Sequence, residues 1–139
     1  MAITFNSQTS GFSPKGKPAI RNWVKIIAKK EKRDCGNINY IFCTDEELLR
    51  MNIQYLNHKT LTDIITFDYS EGVKIAGDIF VSVERIEENA KKYKVEFENE
   101  LHRVMIHGVL HLCGYKDKTP KDKKQMRKKE DEALALFAK

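Results

Sequence analysis

The chain has 139 residues and 41% hydrophobic content, the size of one domain able to bury a real core and an ordinary apolar fraction for a soluble globular protein. No run approaches the ~18 apolar residues of a membrane span, and the opening MAITFNSQTSGF lacks the basic-then-apolar layout of a secretory signal, so a cytoplasmic protein is expected. The net charge of +5 is uneven: +7 over residues 1–33 (eight Lys/Arg against one acid), −6 over residues 34–115 (eight against fourteen), +6 over residues 116–129 (eight against two) and −2 over the last ten.

Residues 2–5 read as a short strand. After a turn-like stretch at 11–16, Pro18 opens a helix on which Ile20, Trp23, Val24 and Ile27 form one apolar stripe, a core face rather than a binding surface. Residues 37–44 alternate as a strand with Ile38, Tyr40 and Phe42 on one side. Thr44 and Glu47 have the spacing of a capping box for a helix through about Leu56, and residues 57–61 read as a loop. Strands follow at 62–68 and 76–82, joined through Ser70-Glu-Gly72. Ser82 then caps a helix on which Ile86, Ala90 and Tyr93 share a face. A longer helix over 96–113 turns Leu101, Val104 and Met105 inward, and Thr119-Pro120 starts the last helix, which closes with Leu134 and Phe137. The expected fold is a single α+β domain over 1–139: a small mixed four-stranded sheet packed against several helices, with a metal site at the end of a central helix.

The run HGVLHLCGYKD over residues 107–117 concentrates the chemistry. On a helix, His107 and His111 lie on one face, roughly 6 Å apart, and both imidazoles can reach one ion. A glycine just past a helix commonly ends it in the left-handed conformation. Gly114 would therefore swing Asp117 back toward the histidines. Three ligands with one open position is the catalytic pattern for zinc, since a structural site normally closes with a fourth protein ligand. Alternatively, the pair could be ordinary hydrogen-bonded histidines on a half-buried face. The spacing mirrors H-E-x-x-H-x-x-G-x-x-H zinc proteases, but Gly108 replaces their glutamate base, which argues against a peptidase.

The remaining candidates rank lower. His102 sits about 140° around the helix from His107 and is expected at the surface or hydrogen-bonded, off the metal face. His58, in the 57–61 loop, could approach the cleft. Cys35, Cys43 and Cys113 form no CxxC pair and read as small buried thiols in a reducing compartment. The second basic cluster begins just after the proposed metal site, so a polyanion held there would lie near the ion, with Lys116 and Lys118 flanking Asp117.

These residues together resemble the YbeY endoribonucleases, the ribosomal-RNA maturation factors of bacteria, with their H-G-x-L-H-L-x-G-Y-D-H signature. The likeness extends upstream, where Thr62-Asp-Ile-Ile-Thr-Phe67 resembles that family's T-D-V-L-S-F strand and Gly77-Asp-Ile-Phe-Val81 its G-D-I strand. Length and order of elements fit as well. The resemblance implies a zinc-dependent endoribonuclease specific for single-stranded RNA, acting in 16S rRNA 3′-end maturation and ribosome quality control with the small subunit as partner. By position it implies that His107, His111 and Asp117 hold one Zn²⁺ and that the two histidines act in catalysis through the metal.

The chain departs from the family at three places. Asp117 stands where the family has a third histidine, Lys116 replaces an aspartate, and Leu56 stands where the family presents an arginine facing the active site. One carboxylate lowers the charge of the occupied site from +2 to +1, which weakens the Lewis acid and favours harder ions such as manganese. Two histidines with a carboxylate can also hold non-haem iron. With Gly108 the metal run brings no base, so slow RNA cleavage is expected. The rival reading is a ribosome-assembly RNA-binding factor whose metal is structural.

Overall fold

The computed structural model describes residues 2–7, 11–57 and 62–137. In chain order these form β1 (Ile3–Ser7), α1 (Lys17–Lys30), β2 (Asp34–Cys43), α2 (Asp45–Leu56), β3 (Ile64–Asp68), β4 (Lys74–Ser82), α3 (Val83–Tyr93), α4 (Phe97–Leu112) and α5 (Pro120–Phe137). The strands make one mixed sheet in the order β1-β2-β4-β3, with β1/β2 and β2/β4 parallel and β3/β4 antiparallel. The expected α+β class with a four-stranded mixed sheet is what the chain adopts.

Local sequence explains the element boundaries. Thr44 and Glu47 make both halves of the capping box that opens α2, relieving two of the orphan N–H groups of a helix start. Ser82 accepts from the Arg85 N–H at the start of α3. Pro18 stands in the first turn of α1, where its missing N–H has no helical partner to lose. The stripe Ile20, Trp23, Val24 and Ile27 is buried, as is the alternating set Ile38, Tyr40 and Phe42.

Helix α4 passes through the core. Buried Leu101, Val104 and Met105 pack inward, and the Tyr40 hydroxyl donates to the Met105 carbonyl at 3.0 Å, fixing α4 to β2. Two glycines set how closely α4 approaches the sheet. A Cβ on Gly108 would come within 2.9 Å of two Ile79 carbons, and one on Gly77 within 2.4 Å of the Phe67 carbonyl oxygen and 2.9 Å of Leu112. At Gly77 the obstacle is backbone, so only glycine fits, and at Gly108 any larger residue would force the Ile79 side chain to shift. α5 then lies against α4 and α1, where Trp23 Nε1 donates to the Ala133 carbonyl at 2.7 Å.

One expectation is corrected. His102 is buried, edge-on to Trp23 and against Phe137 with ring centroids 5.9 and 4.2 Å away, rather than at the surface. Burial holds its imidazole below the usual value. Tyr93 shares the helical stripe of Ile86 and Ala90 but is 55% exposed while they are buried, because it stands at the last residue of α3. Cys35, Cys43 and Cys113 are free and buried, as expected. Burial pushes the Cys43 thiol up to about 12 and Cys113 to about 11. Residues 58–61, with His58, lie outside the described residues.

Candidate metal centre

His107 and His111 stand one turn apart on the last two turns of α4, their ring centroids 4.5 Å apart. The helix ends at Cys113, and Gly114 follows with φ of 103°, a backbone conformation that suits glycine. This reversal brings Asp117 back over the histidines. The Asp117 Oδ2 lies 3.1 Å from His107 Nε2 and 3.5 Å from His111 Nε2. A tetrahedral zinc about 2.0–2.1 Å from each donor needs donors about 3.3 Å apart. Among the described residues this is the one group of three or more metal-capable side chains, its ligand atoms all within 4.8 Å of one another. The donor set fits a divalent ion.

The opposite nitrogen of each ring settles the tautomer. His107 Nδ1 lies 2.6 Å from Glu130 Oε2 on α5. His111 Nδ1 lies 2.9 Å from the Tyr115 carbonyl. A carboxylate and a carbonyl oxygen accept, so each ring donates from Nδ1, which leaves Nε2, on the Asp117 side, as the atom that would ligate an ion, the arrangement that orients metal-binding histidines. Glu130 is itself buried and held by Arg103 at 2.9 Å, which reaches on to Asp131 at 2.7 Å.

The loop between α4 and α5 is braced from behind. Arg33 donates to the Cys113 carbonyl at 2.9 Å, and the Tyr115 hydroxyl donates to Glu31 at 2.6 Å. Lys129 pairs with Glu31 at 3.5 Å and stands over the Tyr115 ring. The residue whose carbonyl fixes His111 is thus fixed by its own side chain.

The two histidines differ electrically. Burial draws His107 down, but the Glu130 hydrogen bond and the charges of Glu130, Asp117 and Asp63 outweigh it and leave His107 above its usual value. Burial, reinforced by the charge on His107, holds His111 below. The group opens outward: side-chain exposure rises from 18% at His107 through 27% at His111 to 42% at Asp117. It faces a cleft of about 980 Å³ whose walls include Leu56, Asp63, Glu100, Lys116, Lys118 and Arg127.

Sequence reading brought His107, His111 and Asp117 together, and the structure does the same. Leu56, read as facing the site, lines the cleft. Of the basic stretches, the second reaches the cleft, while the first contributes Arg33 behind the loop. Gly108 is packed against the sheet, so no side chain at that position could serve as a base. Missed were Glu130 and Arg103, Asp63 at the head of β3, and Glu100 on α4. Glu100, Arg103, His107 and His111 follow helical spacing along one face, a signal present in the sequence. Glu130 had none.

Fold and site together define an α+β protein with an open cleft at the end of a central helix, where three converging side chains could hold a metal ion. The family model described as Endoribonuclease YbeY matches residues 2–138. The chain is 55% identical to Endoribonuclease YbeY of Flavobacterium johnsoniae, covering 97% of this chain and 96% of the relative, and 56% identical to that of Flavobacterium psychrophilum over the same shares. Endoribonuclease YbeY of Parabacteroides distasonis is 44% identical, over 99% of this chain and 96% of its own length. The solution structure of TM1509 from Thermotoga maritima superposes with a TM-score of 0.67 at 30% identity, covering 98% of this chain and 89% of that one. The chain belongs to the endoribonuclease YbeY family.

Proposed function

We propose that this chain is a metal-dependent endoribonuclease that cuts single-stranded RNA, with Zn²⁺ held by His107, His111 and Asp117 and with one domain over 1–139 carrying the whole activity. The observation that carries the reading is the convergence of both Nε2 atoms on Asp117 Oδ2 in an open cleft. The bound ion would supply Lewis-acid chemistry, polarising a phosphoryl oxygen and activating water. Glu130 and the Tyr115 carbonyl hold the two imidazoles in the ligating tautomer. Lys116 and Lys118 hold the phosphodiester beside Asp117. Arg127, on the cleft wall from α5, supplies the cation that Leu56 cannot. The cellular task is 16S rRNA 3′-end maturation and ribosome quality control on the small subunit in the cytoplasm. No helix among the described residues is long and apolar enough to cross a membrane.

The test is zinc content per chain beside cleavage of an end-labelled single-stranded RNA, for wild type, His111→Ala, and wild type stripped with a chelator and reloaded. Expected are about one zinc per chain, cleavage that follows the metal, and loss of both in His111→Ala. Full cleavage by metal-free protein overturns the reading. Zinc retention with RNA binding and no cleavage would instead identify an assembly factor with a structural metal, the reading that Leu56 favours.

A further inference from the structure

The cleft runs past the metal group along α4, and its two ends differ in charge. Glu100 lies seven residues before His107, two turns or about 10 Å along the axis, whereas Lys116 and Lys118 lie beyond the other end of the helix. Around Glu100 the cleft is completed by Asp63 and by Asn89 and Tyr93, one turn apart on α3. Asp63 and Glu100 make one end acidic, offset in part by Arg103 and Arg127 on the same wall, whereas Lys116 and Lys118 attract a phosphodiester to the other, with the His107–His111–Asp117 group between them.

Two features of the acidic end are unexplained by folding. Glu100 is only 6% exposed and lines the cleft, yet among the described residues no donor bonds its carboxylate and no cation stands within ion-pair distance. Its oxygens are not sealed from the cleft, so the carboxylate is free to accept from a molecule bound there. Tyr93 leaves more than half its surface in solvent at the cleft. Lys92 reaches toward the ring, 5.6 Å from its centroid. Asn89 Nδ2 donates to Asp63 at 3.5 Å, which leaves its amide oxygen as a further acceptor beside the cleft. The pair Asp63 and Glu100 does not belong to a three-ligand metal group. Acceptors without donors beside an exposed aromatic ring suit a nucleoside, which brings a flat π-face together with hydroxyl and amino donors.

We propose that Asp63, Asn89, Tyr93 and Glu100 form a nucleoside subsite, in which Tyr93 stacks on one base of a single-stranded RNA and Glu100 accepts a hydrogen bond from that nucleoside. This rests on the RNA reading above. The donor is the ribose 2′-hydroxyl or an exocyclic amine, which present the same chemistry to a carboxylate.

The test uses zinc-loaded full-length protein and fluorescent pentamers of single-stranded adenosine, with versions 2′-deoxy throughout or with purine in place of adenine. Binding is followed by anisotropy, and zinc content is checked for every variant. Tyr93→Ala is expected to weaken the adenosine pentamer about tenfold or more, with Tyr93→Phe restoring it. Glu100→Gln is expected to weaken the parent pentamer but not the analogue lacking the donor it recognises, which identifies hydroxyl or amine. Wild-type affinity for every oligomer in both Tyr93→Ala and Glu100→Gln overturns the subsite while leaving the nuclease reading intact. So does uniformly tighter binding in Glu100→Gln, which would make the carboxylate a mere repeller of phosphate. A wild type that neither binds nor cuts RNA overturns both.

Discussion

His107 and His111 occupy successive turns of the same helix and point at the same aspartate oxygen, yet their supports are of different kinds. His111 donates to the Tyr115 carbonyl, a neutral backbone acceptor four residues on, delivered by the same chain reversal that ends α4. His107 donates to Glu130, a buried carboxylate from a helix 23 residues away, clamped by Arg103. Charge-assisted hydrogen bonds of this type are shorter and about twice as strong as neutral ones, and the two distances, 2.6 against 2.9 Å, follow that order. One ligand is positioned by local geometry and the other by tertiary packing. Substitutions should therefore affect them unequally.

The largest contrast comes from removing each imidazole. His107→Ala and His111→Ala are both expected to lose the metal, but their metal-free forms should diverge. His107→Ala takes a hydrogen-bond donor from a buried carboxylate and should cost about 1–3 kcal/mol, whereas the carbonyl released by His111→Ala sits near the cleft and can bind water. Urea unfolding of both variants in chelator measures the difference. Equal midpoints would mean that the Glu130 contact contributes nothing to the fold.

Glu130→Gln isolates the charge on that contact. The amide oxygen still accepts from His107 Nδ1, so the tautomer survives while the anionic support is lost. Changes to such outer partners of metal-binding histidines typically cost about 10–100-fold in metal affinity. Zinc competition against a chromophoric chelator should place Glu130→Gln within that range. Wild-type affinity would reduce Glu130 to a structural bridge between α4 and α5.

This asymmetry also marks what the sequence made legible. Alternation in Ile38, Tyr40 and Phe42, the Thr44–Glu47 box and the apolar stripe of α1 are local patterns, and each appears in the fold where the spacing put it. His107, His111 and Asp117 belong with them, because a helical turn and a glycine reversal bring them together within eleven residues. Glu130 depends on how α5 docks on α4, and no short-range period encodes that distance. His102 failed for a related reason: its angle around α4 pointed away from the metal, but Trp23 on α1 and Phe137 on α5 cover that side. With Tyr93, periodicity identified the side of the helix and not that its last residue is left uncovered at a cleft.

Titration of the metal-free protein sharpens the comparison further. His107 should protonate above the ordinary 6.5 and His111 below it. The linkage signs are opposite. The raised His107 contributes stability that is fully present below 6.5 and lost as pH rises through its folded value. The lowered His111 contributes stability that is present above 6.5 and lost as pH falls through its own. Imidazole ¹⁵N shifts followed through that range would resolve the two rings. Titration in the reverse order would mean that the Glu130 hydrogen bond does not favour the protonated His107 ring.

The smallest effect is expected behind His111. Tyr115→Phe removes the hydroxyl that donates to Glu31 but keeps the ring under Lys129 and, above all, the carbonyl that holds His111. Glu31 retains its pairing with Lys129, so its charge is not abandoned, and the loss should be about 1 kcal/mol or less. Zinc affinity should stay within about twofold of wild type, because a backbone acceptor does not leave with the side chain. Cutting this brace should therefore leave the metal in place, whereas cutting the Glu130 brace should weaken its hold. A large loss of zinc in Tyr115→Phe would place the control of His111 in the packing of α1 and α5 against the loop, and the distinction between a locally held and a tertiary-held ligand would disappear.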